Sequence, residues 1–212
     1  EMSASLVGSE MCIRDRPWKV LQSEYLFKEP WFTVRRDKVE LPNGSLIPSY
    51  YVLEYPAWVC VIGITREGKL LMERQYRHGL GRVGYELCAG VVEDSDPSYL
   101  EAARRELWEE TGYGKGHWET YMVFSVNPGT HTNLTYCFLA TDLERIGEPH
   151  QEATEDIAVE LLEPEEVKEL LMENQIMQAM HVAALWKYFY EKTKTDEDGA
   201  GKSGISEKFC DR

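Results

Sequence analysis

The sequence predicts an α/β (α+β) fold: a mixed sheet with helices on its faces, preceded by a small antiparallel β subdomain. Residues 17–56 show strand-like patterns and no helical one. In residues 57–193, strand-like and helix-like segments interleave without strict βα alternation, which favours a mixed sheet over a purely parallel one. A chain of 212 residues, 43% hydrophobic and 11% aromatic, can bury a sizeable core.

Three strands are expected in residues 17–56, because the segments are rich in β-branched and aromatic residues. They are KVLQSEYLF (19–27), FTVRRDKVEL (32–41) and SLIPSYYVLEY (45–55). Pro42-Asn43-Gly44 supplies the turn before the third strand, since glycine adopts positive φ easily. A sheet of about 38 residues is too small to be stable by itself. We therefore expect it to pack on the rest of the chain or on a second subunit.

The larger domain is predicted to hold six further strands and three helices. The strands are WVCVIGIT (58–65), KLLMERQYR (69–77), GYELCAGVV (84–92), TYMVFSV (120–126), LTYCFLATDL (134–143) and IAVELL (157–162). The helices span residues 97–111, 163–174 and 175–192.

The first helix has recognisable ends. Asp96 is the expected N-cap, Pro97 suits the first helical position and Gly112 suits the position after the last turn. At helical spacing, one side of this helix carries apolar residues and is expected to face the core: Leu100, Ala103 and Leu107.

Both ends of the chain are set apart from the fold. Residues 1–16 contain LVGSEMCIRDR, which resembles a translated sequencing-library adapter and lacks the regions of a signal peptide, so we expect a non-native leader. From about residue 194 the chain is polar and contains Gly and Ser, which predicts a flexible tail over 194–212.

Charge and cysteine usage exclude several classes of protein. A net charge of −14 argues against nucleic acid as a partner, because phosphate backbones are bound by excess Lys and Arg. Apolar runs such as WVCVIGI are too short to span a bilayer. The five cysteines are odd in number and form no CxxC pair, which favours a reducing, cytoplasmic location.

The stretch RELWEETGY (105–113) indicates a metal site. On a helix Glu106, Glu109 and Glu110 stand at positions i, i+3 and i+4 and share one face. Like charges at this spacing repel, but oxygen ligands so placed suit Mg²⁺ or Mn²⁺. Arg105 can hold Glu109 by a salt bridge across one turn. The alternative interpretation is a solvated acidic helix face.

RELWEETGY also resembles the second half of the Nudix box, Arg-Glu-apolar-any-Glu-Glu-any-Gly-apolar, at every position. ELCAG (86–90) is similar to the strand that enters this box, and the resemblance covers about Trp58 to Tyr190. It implies a three-layer α/β/α sandwich. The distance from Gly90 to Arg105 is one residue longer than in the box, and the first glutamate is missing. Asp94 or Asp96 is expected to replace that glutamate from the loop.

The resemblance implies roles for the acidic residues. Glu106 and Glu110 would be primary metal ligands, Glu109 a further ligand acting partly through water, and the Ala89 carbonyl would complete the shell. Glu86 is a candidate for another metal or its waters. Two or three Mg²⁺ ions would neutralise a pyrophosphate and activate a water molecule.

The box does not supply the general base. Relatives that act on ADP-ribose take it, with another metal ligand, from an acidic loop before a late strand. Here that loop lies in HQEATEDIAVELL, where Glu155 corresponds to the metal ligand and Glu152 lies one residue from the place of the base. The alternative is an ordinary surface loop.

Several residues resemble the branch of the family that acts on ADP-ribose and nucleoside diphosphate sugars. The leading three-strand segment implies a homodimer formed through those strands. Candidate substrate contacts are Arg74 and Arg77 for phosphates, Trp31 and Tyr51 for stacking on the base, and Pro128, fifteen residues after Tyr113. The arginines could instead lie on a solvated strand edge, and the aromatic residues could belong to the core. A glutamate expected after Pro128 is absent, which leaves ADP-ribose open against other sugar nucleotides.

These residues predict Mg²⁺-dependent hydrolysis of the pyrophosphate bond of an ADP-ribose-like nucleoside diphosphate sugar, giving a nucleoside monophosphate and a sugar phosphate. One alternative is a Nudix hydrolase of other specificity, for coenzyme A or dinucleoside polyphosphates. The other is a non-catalytic sensor that binds a nucleotide sugar. Sensors typically lose the glutamates of the box, whereas Glu106, Glu109 and Glu110 are all present.

Overall fold

The computed structural model describes residues 16–29, 31–151 and 155–197, with side chains to residue 194. The described chain forms two compact units. The first comprises residues up to Trp58 together with Phe124–Thr135, and the second comprises Val59–Val123 and the residues from Tyr136 onward.

The first unit is a three-stranded antiparallel sheet in the order β1-β2-β3. Its strands are β1 (Lys19–Glu29), β2 (Phe32–Glu40) and β3 (Leu46–Glu54). The turn before β3 is as predicted: Gly44 has φ 82° and its N–H donates to the Leu41 carbonyl at 2.9 Å. All residues of β1 are exposed except the half-buried Leu26. The expected antiparallel β subdomain is therefore present, with one long strand open to solvent in the single chain.

The loop that contains Pro128 belongs to this same unit. It lies beside β3, because the Leu53 N–H donates to the Thr130 carbonyl at 2.8 Å and the Thr132 N–H donates to the Leu53 carbonyl at 3.1 Å. The Tyr50 hydroxyl also donates to the Gly129 carbonyl. Residues that are some 80 positions apart in the chain thus form one small module.

The second unit holds an eight-stranded mixed sheet and three helices, as the predicted α/β/α sandwich requires. The strands are β4 (Trp58–Thr65), β5 (Leu70–Arg77), β6 (Arg82–Glu86), β7 (Cys88–Val91), β8 (Tyr113–Gly114), β9 (His117–Phe124), β10 (Thr135–Arg145) and β11 (Ile157–Leu162). The main order is β11-β5-β4-β10-β8, while β6 pairs with β5, β7 with β4 and β9 with β10.

The segment GYELCAGVV is two strands, not the single strand that its apolar pattern predicts. Residues up to Glu86 form β6, which pairs with β5, and residues from Cys88 form β7, which pairs with β4. Between them, the Leu87 N–H donates to Nδ1 of the buried His181 at 3.3 Å instead of to a neighbouring strand. A change of strand partner depends on distant residues, so the local pattern could not reveal it.

The first helix, α1 (Tyr99–Thr111), starts two residues later than expected, and its N-cap is Ser98 rather than Asp96. The Glu101 N–H donates to the Ser98 hydroxyl at 3.2 Å. At the other end Gly112 has φ 73°, so the prediction for the C-terminal stop is confirmed. The prediction for the cap was wrong because the Asp96 carboxylate binds an arginine instead.

The last two helices are α2 (Pro164–Met172) and α3 (Ala179–Glu197). The third helix was expected to begin at residue 175. It begins later because Gln175 and Ile176 pair with β6: the Tyr85 N–H donates to the Gln175 carbonyl, and Tyr85 and Ile176 form an isolated bridge. Among the described residues, no helix combines the length and apolar character needed to cross a membrane.

The core of the second unit lies between α1 and the sheet. Its buried members are Val59, Val61, Leu71, Cys88, Ala102, Ala103, Leu107, Phe138, Ala140 and Leu143. Ala103 and Leu107 are fully buried and Leu100 packs at the edge, so the predicted apolar side of α1 faces the core. Burial of a leucine such as Leu107 contributes about 2 kcal/mol. This packing also fixes the adjacent acidic side of the helix, which carries the buried Glu106 and Glu110.

Candidate functional site

Arg105 lies at the centre of the acidic side of α1. Its guanidinium donates to both oxygens of Asp96, at 3.0 and 2.9 Å, and to the Val91 carbonyl at 3.1 Å. The same group binds Glu109 at 3.0 Å, as the spacing predicted, and lies 3.0 Å from a Glu106 oxygen. One arginine thereby ties the helix to the loop before it and fixes the positions of two glutamates.

Asp96 is one of the two aspartates that were expected to replace the missing glutamate of the box. It accepts both hydrogen bonds from Arg105 and one from the Glu93 N–H at 2.9 Å. The hydrogen bond from Arg105 is the main reason that the pKa of Asp96 is lowered. The longer loop thus still delivers a carboxylate to Arg105, although from a shorter side chain.

Glu106 is buried against the backbone of β7. A methyl group added at Gly90 would lie 2.1 Å from the Glu106 carboxyl carbon, so only glycine leaves room for this carboxylate. Burial raises the pKa of Glu106 to about 7, in spite of the opposing charge of Arg105. Ala89, whose carbonyl was the predicted backbone ligand, precedes Gly90 in this half-buried strand segment.

Glu110, one turn further along α1, is 5% exposed, and burial raises its pKa to about 7. One of its oxygens, Oε2, has no hydrogen-bond partner among the described residues. Glu73 of β5 and Cys88 of β7 face it, and the three side chains bring ligand atoms within 4.8 Å of one another. Burial, followed by the charge of Glu110, raises the pKa of Glu73 well above its usual range.

Two further site residues were predicted from the sequence in the segment before β11. The charge of Glu155 raises the pKa values of both Glu106 and Glu110, so Glu155 lies close to the acidic side of α1. Glu152, the candidate general base, lies outside the described residues.

Arg77 and Glu86 bind one another. The guanidinium donates to both oxygens of Glu86, at 2.8 and 2.5 Å, which pairs β5 with the end of β6. Glu86 is 6% exposed, whereas the Arg77 side chain is 47% exposed. Both were expected near the reaction centre, Glu86 as a metal ligand and Arg77 as a phosphate contact. The structure brings them together as an ion pair, with one face of the arginine open to solvent.

Arg74 lies on the neighbouring strand surface. It pairs with Glu160 at 3.3 Å, and its guanidinium carbon lies 5.4 Å from the centre of the Tyr85 ring. Nearly half of its side chain remains exposed. A pair this exposed contributes about 0–1 kcal/mol, so an incoming phosphate could displace Glu160 at little cost.

The remaining predicted substrate contacts lie in the first unit. Trp31 is 69% exposed and has φ 62°, and Tyr51 is 51% exposed. The alternative, that these aromatic residues belong to the core, is therefore wrong for the single chain. Pro128 lies in the loop beside β3 that belongs to the same unit.

The donors on the acidic side of α1 fit a hard divalent cation. Two carboxylates about 5 Å apart repel by roughly 3 kcal/mol at an effective dielectric constant of about 20. Arg105 offsets part of this repulsion, but it is shared with Asp96. The recess beside Gly90 holds the Glu106 carboxylate, and Glu106 and Glu109 present oxygen ligands that suit an ion of the Mg²⁺ type.

Sequence reasoning missed Glu73 and Cys88. The available signal was the position of Glu73 directly after three buried apolar residues, Leu70, Leu71 and Met72. A carboxylate that continues such a run in a strand is costly to bury unless it has a partner. Cys88 was interpreted only as a small apolar residue, because its neighbours in space come from two other elements.

Comparison with known proteins places the chain in a family. Residues 54–182, more than half of the chain, match the NUDIX domain. The chain belongs to the Nudix family. Residues 18–53 match the N-terminal domain of nucleoside diphosphate sugar hydrolases. The Nudix resemblance carried by RELWEETGY is thereby confirmed, and so is the expectation of a Nudix hydrolase.

Curated relatives support this Nudix assignment. The chain is 34% identical to the ADP-ribose pyrophosphatase of Bacillus subtilis over 146 residues, 68% of this chain and 77% of the relative. It is 33% identical to that of Mycobacterium tuberculosis over 143 residues, 66% and 68% of the two chains. The methanol dehydrogenase activator of Bacillus methanolicus is 31% identical over 169 residues, 79% and 90% of the two chains.

The fold is also shared with a solved structure. A crystal structure described as an ADP compounds hydrolase superposes with a TM-score of 0.73 and covers 87% of this chain and 97% of its own. Sequence identity is 23%, so this match shows the fold alone.

Proposed function

We propose that this Nudix pyrophosphohydrolase cleaves, with Mg²⁺, the pyrophosphate bond of an ADP-ribose-like nucleoside diphosphate sugar. The products would be a nucleoside monophosphate and a sugar phosphate. The observation that carries the proposal is the acidic side of α1, where Arg105 holds Glu109 and Glu106 in place beside the buried Glu110. The two ADP-ribose pyrophosphatases among the relatives support the substrate class.

Glu106 and Glu110 would hold the ion, with Glu109, Glu155 and the Ala89 carbonyl as further ligands. When bound, Mg²⁺ would neutralise the negative charge of the diphosphate and make an attacking water molecule more acidic. Glu86 is the weaker candidate ligand, because both of its oxygens already accept hydrogen bonds from Arg77.

The chain's own residues would position the reactants. Arg105 keeps Glu109 and Glu106 at fixed places, so these carboxylates need little reorganisation during the reaction. Glu155 would complete the acidic face from the loop before β11. The loop's Glu152 is proposed as the general base that removes the proton of the attacking water.

Substrate binding is assigned to two sets of residues. Arg74 and the open face of Arg77 would meet the phosphates, since both arginines expose about half of their side chains. Trp31 and Tyr51 would stack on the base, because aromatic rings this exposed offer free faces. Pro128, of the same unit as Trp31 and Tyr51, stays a predicted substrate contact.

A product screen tests the proposal. The full-length protein would be incubated with Mg²⁺ and, separately, with ADP-ribose, GDP-mannose, UDP-glucose, NADH, diadenosine polyphosphates and coenzyme A. We expect AMP and ribose 5-phosphate from ADP-ribose, at a higher kcat/KM than for the other compounds. Turnover of coenzyme A or diadenosine polyphosphates alone would refute the substrate class. Binding without turnover of any compound would refute catalysis and support a sensor.

Assembly and location are part of the same proposal. We infer a homodimer formed through the first unit, supported by the exposed aromatic residues of its sheet and by its match to a nucleoside diphosphate sugar hydrolase N-terminal domain. A cytoplasmic location is supported by the three cysteines in the described residues, Cys60, Cys88 and Cys137, which are all free.

A further inference from the structure

Behind the acidic side of α1, three buried side chains from three elements converge. They are Glu73 of β5, Cys88 of β7 and Glu110 of α1, and we call them the buried triad. Each offers one ligand atom, and these atoms all lie within 4.8 Å of one another. The exposed fractions of the three residues are 4%, 1% and 5%.

Among the described residues, the buried carboxylates of the triad receive no hydrogen bond from a donor outside the triad. Oε1 of Glu73 and Oε2 of Glu110 are both buried, and neither has a hydrogen-bond partner among the described residues. An unpartnered polar group in such surroundings costs about 1–3 kcal/mol, and more if it is charged. Arg77, whose charge reaches Glu73, is itself bound by both oxygens of Glu86. In the part of the chain that the structure describes, no cation is paired with Glu73.

We propose that the buried triad is a second metal site, selective for a thiolate-binding divalent cation of the Zn²⁺ type. A hard ion such as Mg²⁺ prefers oxygen ligands only, whereas a sulfur ligand beside two carboxylates suits Zn²⁺ or Co²⁺. Cys88 would release its thiol proton to solvent and bind as the thiolate, since thiolates are the metal-binding form.

The geometry suits a tetrahedral ion. Zinc bonds of about 2.0–2.3 Å separate neighbouring ligand atoms by roughly 3.3–3.8 Å. Ligand atoms within 4.8 Å of one another need to approach by only about 1 Å, which side-chain rotation of two glutamates can supply. Three protein ligands leave a fourth position for water.

Glu110 links this site to the proposed reaction centre, because it belongs both to the triad and to the acidic side of α1. The proposal does not depend on the proposed substrate. A cation in the triad would hold one oxygen of Glu110 and leave the other towards Glu106 and Glu155, whose charges both act on Glu110. Cys88 gives the site a spectroscopic signature that is independent of turnover.

Cobalt substitution tests the site in the full-length, metal-free protein without substrate. Titration with Co²⁺ should produce a near-ultraviolet thiolate-to-cobalt absorption band that saturates at one equivalent. Zn²⁺ should remove the band in stoichiometric amounts, and a large excess of Mg²⁺ should not. Absence of the band, or its removal by Mg²⁺, would overturn the proposal; a proton shared by Glu73 and Glu110 would give this result.

Matched variants assign the ligands. Cys88→Ser should abolish the band, and Glu73→Gln should weaken Co²⁺ binding at least tenfold. Cys137 is a buried thiol in another part of the sheet, and Cys137→Ser should retain the band. The double variant that carries Cys12→Ser and Cys210→Ser should retain it as well. A band that persists in Cys88→Ser would contradict the proposal. Should that variant fail to fold by circular dichroism, unchanged Co²⁺ affinity in folded Glu73→Gln would contradict it equally.

These measurements separate the two proposals. The cobalt band reports on the triad and is recorded without substrate, whereas the product screen reports turnover with Mg²⁺. A protein that hydrolyses ADP-ribose without showing the band would refute the second site alone. A protein that shows the band without turnover of any compound would refute the proposed function alone.

Discussion

At the scale of single residues, the proposed chemistry depends on the buried carboxylates of Glu106 and Glu110. Replacing Glu110 by Gln keeps the size of the side chain and removes the charge proposed to bind the metal. We expect turnover to fall by roughly 100-fold or more, since a metal ligand stabilises transition-state charge by several kcal/mol. The measurement is steady-state hydrolysis with Mg²⁺, accompanied by circular dichroism.

A matched control lies on the same helix. Glu101 is an exposed glutamate that pairs with Arg104 at 2.7 Å, so Glu101→Gln changes the charge equally without reaching the site. This variant should keep near-normal turnover. Full activity in Glu110→Gln would show that Glu110 is not a ligand.

Gly90 is predicted to accept a side chain only if the Glu106 carboxylate moves. In Gly90→Ala the new methyl group would meet Glu106 at 2.1 Å, and the carboxylate would have to leave its recess. We expect a loss of about 1–3 kcal/mol in the free energy of unfolding, as for other overpacked sites, and a drop in turnover. Chemical denaturation and hydrolysis assays measure the two effects.

Gly84 provides the comparison for this substitution. It also lies in a strand, and a methyl group there would have only one ordinary contact, 3.6 Å from the Gln175 carbonyl oxygen. Gly84→Ala should leave both stability and turnover nearly unchanged. Equal losses in the two variants would mean that the recess around Glu106 is not the cause.

At the scale of elements, two residues at the start of α1 are expected to have different effects. Ser98 caps the helix and stabilises it, whereas Asp96 binds Arg105 of the candidate site. Ser98→Ala removes the hydroxyl that accepts from the Glu101 N–H, which should lower the free energy of unfolding by about 1 kcal/mol. Turnover should persist, because Ser98 does not contact Arg105. Asp96→Asn, by contrast, should lower turnover, because Asp96 helps to fix Arg105.

The measurement is thermal unfolding combined with hydrolysis of ADP-ribose. The expectation fails if Ser98→Ala loses turnover as strongly as Asp96→Asn, or if Asp96→Asn keeps normal activity.

The exposed aromatic residues of the first unit lead us to expect self-association. Phe27 and Phe32 lie with ring centres 5.3 Å apart, and both are about half exposed in the single chain. Aromatic residues grouped this way on a small sheet mark an interface. We expect a dimer in analytical ultracentrifugation, and we expect Phe27→Ser with Phe32→Ser to weaken it at least tenfold.

Met172 of α2 serves as the control, because it is 63% exposed but belongs to the other unit. Met172→Ser should leave the dimer intact. A monomeric wild-type protein at micromolar concentration would exclude this assembly.

At the scale of the whole molecule, the site makes stability depend on pH when no metal is bound. Burial raises the pKa values of Glu106 and Glu110 to about 7, above about 4.3 in the unfolded chain. The folded protein therefore binds more protons between these values. Its stability should fall as pH rises from about 5 to 8, by roughly 1–3 kcal/mol.

Thermal unfolding in the presence of a chelator measures this dependence. Glu106→Gln should make the profile less steep, because only one of the two carboxyls still titrates, and added Mg²⁺ should raise stability most at high pH. A wild-type profile that is flat or rises over this range would contradict the expected burial of charge.

Local patterns predicted much of the fold. The strand Ile157–Leu162 was predicted to the residue, and Gly112 ends α1 as expected. These features depend on neighbouring residues, so they can be derived from spacing and from backbone preferences. The division of GYELCAGVV into two strands and the late start of α3 depend on pairing with β4 and β6. Such pairings involve residues far apart in the chain, which no local pattern records.

The family and the acidic helix can be derived from the sequence, because carboxylates that share one side of a helix follow the helical repeat, which is visible as RELWEETGY. The partners of those carboxylates are known from the folded chain. It assigned Asp96 to Arg105, joined Arg77 to Glu86, and brought Glu73 and Cys88 against Glu110. The physical reason is that the charge state and the ligands of a buried group are set by its neighbours in space, and these come from different strands.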